Sequence, residues 1–253
     1  MRASGLLTDN HSFWRNHLYA PLTAFLLLAG LFEYSGIDLM FADWLYRLEG
    51  GRWALRHDFL FSGILHQGAA RLMKILALLI FVLAAVSHRL AKLRPYRRAL
   101  WCLALSMPAS ALLVSIGKGL THVDCPWDLL RYGGGQPYLG LFEPHSGEGG
   151  DGQCFPAGHA SGGYALVALY FFFLQTNPER RFHGLGIGLA CGLLFGFTQQ
   201  LRGAHFLSHD LWTLAICWFN SLAWHQAIFK KRSDGGYPAG LKRAAAYRRS
   251  DYG

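Results

Sequence analysis

The sequence predicts an all-α fold: an integral membrane bundle of six transmembrane helices, with an irregular outer-face loop between the third and the fourth. Three observations carry this. Of the 253 residues 52% are hydrophobic and only 15% charged, whereas a soluble domain carries about a quarter charged residues. The apolar residues come in blocks of roughly the 17–25 residues that a helix needs to cross the hydrocarbon core. The basic residues gather in alternate connections, which gives the bundle a direction across the membrane.

Taken in order, the chain opens with a polar lead, 1–17, before the first span at 18–37 (LYAPLTAFLLLAGLFEYSGI). That block starts too late and runs too long for a cleavable signal peptide. The connection 38–71 contains FADWLYRLEGGRWALRHDF, aromatic with interleaved charges, a pattern suited to a helix lying in the interface. Further spans follow at 72–90, 99–117, 159–175, 184–200 and 206–229. The fourth and fifth are short and rich in glycine, which membrane helices accept because neighbours pack closely on them. The stretch 131–153 (RYGGGQPYLGLFEPHSGEGGDGQ) reads as an ordered but irregular loop. The expected organisation is a cytoplasmic lead (1–17), one membrane domain (18–229) and a basic cytoplasmic tail (230–253), with no internal repeat.

The net charge of +9 is unevenly spread. HRLAKLRPYRR (88–98) holds five Lys/Arg and no acid, and the tail seven Lys/Arg against two aspartates. The connection 118–158 has only Lys118 and Arg131 against five acids, among them Asp124 and Asp128. The positive-inside rule puts both termini in the cytoplasm and the 118–158 loop outside. The basic balance reads as a topology signal and an attraction to lipid headgroups, and implies no nucleic-acid partner.

On that topology three polar clusters meet at the outer boundary. The first starts at Lys118, the second is CFPAGHASGG around His159, and the third is LRGAHFLSHD, residues 201–210. Charged groups at membrane depth are costly and point to function. Lys118 offers a cation, and Gly158 a backbone nest at a helix start, where N–H groups favour an anion. His159 can donate a proton and His205 can attack. His205 and His209, four apart, could share a metal, but no Cys or carboxylate supplies a third ligand at a motif spacing. The set suits phosphoryl transfer through a covalent phosphohistidine, stabilised by positioned positive charge and hydrogen-bond donors.

These residues resemble the motifs of the type 2 phosphatidic acid phosphatase superfamily, K-x6-R-P, P-S-G-H and S-R-x5-H-x3-D. Lys118 is followed after six residues by Cys125-Pro126, Pro156-Ala157-Gly158-His159 departs at the serine, and His205 aligns with the nucleophile. Cys125, Ala157, Gln199 and His209 stand where the pattern has arginine, serine, arginine and aspartate. The resemblance covers about residues 70–229 and implies a membrane phosphatase acting on a phosphorylated, lipid-linked substrate at the outer face of a bacterial inner membrane. His205 would attack phosphorus, His159 would protonate the leaving oxygen, and His209 would orient His205. Lys118, Arg202 and the Gly158 amide would hold phosphate oxygens, with Arg202 taking over from Gln199 one helical turn away and Arg131 available in the first motif's loop. No metal or organic cofactor is required. Two alternatives stay open: a phosphotransferase passing the phosphoryl group to a lipid acceptor, and a non-catalytic lipid-binding or transport protein. Finally, Cys125 and Cys154 share the outer loop, each beside a motif proline. In an oxidising periplasm a bridge between them would fix Lys118 relative to His159.

Overall fold

The computed structural model describes residues 10–141, 143 and 152–229, and among these every regular element is helical. The tail 230–253, the first nine residues and most of 142–151 lie outside the described residues.

Helix α1 spans His11–Ser35, so much of the expected polar lead is the start of a helix. The reason is packing: Phe13, Trp14 and Leu18 lie against Tyr170, Phe171 and Leu222, and His17 Nε2 meets the Tyr170 hydroxyl at 2.9 Å. Gly36, with φ 70°, ends α1. Helix α2 (Ile37–Leu48) then buries Asp38, Ala42 and Leu45 and takes up only the first part of the expected interfacial stretch. Helix α3 (Phe59–Val86) begins well before residue 72, because Asp58 caps it: its Oδ1 accepts from Leu60 N at 2.9 Å and Phe61 N at 3.2 Å, satisfying donors that a helix start leaves free. Its first ten residues, Phe59–Gly68, wind as a π-helix. Then come α4 (Arg97–Thr121), α5 (Gly158–Tyr164), continuous through Ala165–Val167 with α6 (Ala168–Thr176), α7 (Arg181–Leu201) and α8 (Leu207–Phe229).

Among the described residues four helical stretches are long and apolar enough to cross a membrane: α1, α3, the stretch Ala91–Asp128 that contains α4, and Pro178–Leu201 with α7. The α5–α6 unit and α8 are not among these four. Both hold the interior, where Tyr164, Val167 and Phe171 are fully buried and α8 contributes buried His209, Asp210, Thr213 and His225. Apolarity by composition is thus diluted where the bundle carries its polar groups.

Close helix approach fixes the centre. A Cβ added at Gly184, Gly188 or Gly192 on α7 would stand 2.7 Å from Leu169 backbone, 2.5 Å from Val167 N and 2.1 Å from the Tyr164 ring. Glycines four apart therefore bring α7 against α5 and α6, as small residues do at membrane helix crossings. Across the bundle, Asn220 of α8 donates to Ser106 O and Ser110 Oγ of α4, each at 2.8 Å.

Candidate active site

Three segments meet at one end of the bundle. The α4–α5 connection folds back on the end of α4: Cys154 N donates to Val123 O at 2.9 Å and Thr121 Oγ1 to Phe155 O at 2.6 Å. Cys125 and Cys154 are joined by a disulfide, Cα–Cα 5.2 Å. Lys118, in the last turn of α4, donates from Nζ to the Gln153 carbonyl. Gly158 opens α5 directly under it. A Cβ there would stand 2.8 Å from Lys118 Cε and 3.4 Å from Nζ, so with any other residue the end of the lysine side chain would have to shift from its place across that backbone.

His159 follows on α5. Its Nε2 donates to the Leu65 carbonyl of α3 at 3.0 Å, which leaves Nδ1 for chemistry and fixes the ring's orientation. An open apolar cleft of about 380 Å³ runs from Gly158 and His159 between α3 and α4, past Met73, Ala77 and Met107.

The third segment is the turn between α7 and α8. Gly203 N donates to Gln200 O and Ala204 N to Gln199 O, both at 2.9 Å, with Gly203 left-handed at φ 69°. This is a Schellman turn, and its glycine supplies the positive φ it needs. Trp127 N donates to Gly203 O at 2.9 Å, and Trp53 packs where a Cβ on Gly203 would be, 2.4 Å away. The turn presents Arg202 and His205. Arg202 is buried: Nη1 donates to Gln199 Oε1 at 2.8 Å, and Nε and Nη2 to Arg56 O at 3.1 and 3.0 Å. Gln199, at the motif's arginine position, therefore clamps Arg202, while its own Nε2 is buried without a partner among the described residues.

His205 is buried, and its Nδ1 faces His209 Nδ1 at 3.4 Å. That separation is long for a hydrogen bond. The Cys154 carbonyl acts electrostatically on both rings. Burial first, then the neighbouring His209 and Lys118, hold His205 well below the ordinary histidine value, which favours the neutral imidazole. Its electrostatic neighbours also include His159, and Arg202 acts on His159 in turn. Lys118 thus lies over Gly158, next to His159 in sequence, and His205 faces His209, while the fields of Lys118 and His159 reach His205 and that of Arg202 reaches His159.

Arg131 does not join them. It forms a bidentate pair with Asp43 of α2, at 2.7 and 2.6 Å, which holds the Asp43 carboxyl below its usual range. Asp210 turns away to Gln200 Nε2 at 2.6 Å, and Asp128 takes the Trp127 indole N–H at 2.9 Å. Sequence reasoning missed the Arg56 and Cys154 carbonyls, which as backbone groups leave no trace in side-chain motifs. It also missed His66, whose ring centroid is 4.4 Å from that of His159.

A lysine, histidines and a clamped arginine thus stand at one end of a helical bundle that has helices apolar enough to cross a membrane. The comparison with known families is specific: residues 99–233 match the PAP2 superfamily. The match covers more than half of the chain, and the chain belongs to that superfamily, whose members act on phosphorylated substrates. No curated protein and no solved structure matches the chain.

Proposed function

We propose that the chain is a multi-pass membrane phosphatase that hydrolyses a phosphate monoester or diphosphate of a lipid-linked substrate through a phosphohistidine. The observation that supports this reading is the convergence of Lys118, the Gly158–His159 helix start and the Arg202–His205 turn from three separate segments. His205 attacks in line through Nε2, since Nδ1 faces His209. The P–O bond breaks as the P–N bond forms, and His159, entering as the imidazolium with Nε2–H held by the Leu65 carbonyl, gives its Nδ1 proton to the leaving oxygen. In the second half, His159 takes a proton from water, the water oxygen bonds to phosphorus, and the P–N bond breaks to release phosphate. Lys118, the Gly158 amide and the free donors of Arg202 hold the non-bridging oxygens, where preorganised charge lowers the barrier most. His209 and the Cys154 carbonyl keep His205 aligned. The electron flow asks nothing of a metal.

In this reading α5–α6 and α8 complete six spans, both termini are cytoplasmic, and the site faces the periplasm of a bacterial inner membrane, where the Cys125–Cys154 bridge persists. The test is phosphate release by the purified chain in detergent, with EDTA, across phosphatidic acid, phosphatidylglycerol phosphate, polyprenyl diphosphates and lipid A. Release from at least one is expected, with His205→Ala falling below about a tenth of it. Transfer of the phosphoryl group to an added lipid without free phosphate would favour the phosphotransferase. Inactivity on every substrate would leave a non-catalytic lipid-binding protein.

A further inference from the structure

Helix α3 brings to this site a histidine that no motif accounts for. His66 lies in the π-helical segment Phe59–Gly68, a winding that is rare and concentrates at functional sites. Its ring sits against that of His159, centroids 4.4 Å apart and planes at 51°. The residue before it, Leu65, accepts the His159 Nε2 hydrogen bond at 3.0 Å, so one turn both fixes His159 and sets His66 beside it. His66 lies in the field of Arg202 and of Lys118. Its Nδ1 is buried and, among the described residues, has no hydrogen-bond partner.

An unpartnered buried nitrogen within the field of two cations is unfavourable in a packed core. A dianion bound to the same cations reverses that balance, because an N–H aimed at a phosphate oxygen becomes a charge-assisted bond. We propose that His66 is a further catalytic residue, donating its Nδ1–H to a non-bridging oxygen of the phosphoryl group held by Lys118 and Arg202. The proposal rests on the phosphatase reading for the identity of the ligand. It also accounts for donors missing elsewhere: Cys125 and Ala157 stand where the motifs have an arginine and a serine, and His66 supplies a hydrogen bond from outside the matched residues 99–233.

The test uses the full chain in detergent and orthovanadate, which mimics the five-coordinate phosphorus, with affinity read by calorimetry and kcat/KM by phosphate release. His66→Leu is expected to weaken vanadate and lower kcat/KM together by roughly 10- to 100-fold, the range for a hydrogen bond to a charged group. His66→Asn puts an N–H donor near the position of Nδ1 and should recover binding to within about fivefold of the native chain. Unchanged vanadate affinity in His66→Leu overturns the proposal. So does equal impairment of both variants with a lowered thermal midpoint, which would make His66 packing for His159, and so does a native chain that binds no vanadate. His66-dependent vanadate binding without phosphate release from any substrate would sink the phosphatase reading and leave the anion contact standing. An active phosphatase indifferent to His66→Leu would do the reverse.

Discussion

At the scale of single residues, the proposed mechanism asks for a neutral His205 and a clamped Arg202. Burial lowers the proton affinity of His205 in the folded chain below the ordinary value of 6.5. The sign follows: as pH falls through 6.5 the unfolded chain binds a proton that the folded chain refuses, so His205 subtracts stability on the acid side and none above it. Its imidazole resonances should not titrate between about pH 5.5 and 7.5, and NMR of the histidine-labelled chain checks this. Titration near 6.5 would mean that the ring is solvated. Arg202 yields a second expectation. If, as proposed, its remaining donors hold phosphate oxygens in the transition state, Arg202→Gln should reduce kcat/KM by roughly 30- to 1,000-fold, or about 2–4 kcal/mol. Arg202→Lys should restore little, because a point charge does not reproduce the planar fork held by Gln199 and Arg56. Phosphate-release kinetics on both variants decides it.

At the scale of elements, the Schellman turn at Gly203 sets the angle between Arg202 and His205. Gly203→Ala forces a left-handed alanine, worth about 1–2 kcal/mol, and drives a methyl into Trp53, 2.4 Å away. A lowered thermal midpoint in detergent together with reduced kcat is expected; a midpoint equal to that of the native chain would show that Trp53 yields freely. Such turns mark how far the sequence could be read. The helices from residue 97 onward were legible within a few residues, since hydrophobic length and glycine content report directly on membrane crossing and close packing. The starts of α1 and α3 were not. Phe13 and Trp14 pack onto α6 from a polar stretch, and the Asp58 cap looks like any loop aspartate until its hydrogen bonds are seen. The grouping of Lys118, His159 and His205 was legible because motif order survives. The pairing of Arg131 with Asp43, 88 residues away, left no trace in the motif that offered Arg131 as a phosphate ligand, and His66 lay unmarked in the expected connection 38–71.

At the scale of the whole molecule, the Cys125–Cys154 bridge closes a sequence separation of 29 residues and ties the end of α4 to the strap carrying the Cys154 carbonyl. Replacing both cysteines by serine should destabilise the chain by about 3–4 kcal/mol on the loop-entropy account. It should also slow turnover, because that carbonyl meets both His205 and His209. Unfolding and phosphate release measured with and without reductant test this, and equal stability in the two states would refute it. Another consequence follows from the apolar cleft that reaches His159 between α3 and α4. On the lipid-linked reading proposed above, a ligand whose tail fits that cleft would arrive by sliding within the bilayer, not by falling in from solution. The variable that governs turnover is then crowding in two dimensions. Rates should follow the mole fraction of substrate among the surrounding amphiphiles and drop as inert detergent is added at constant bulk concentration.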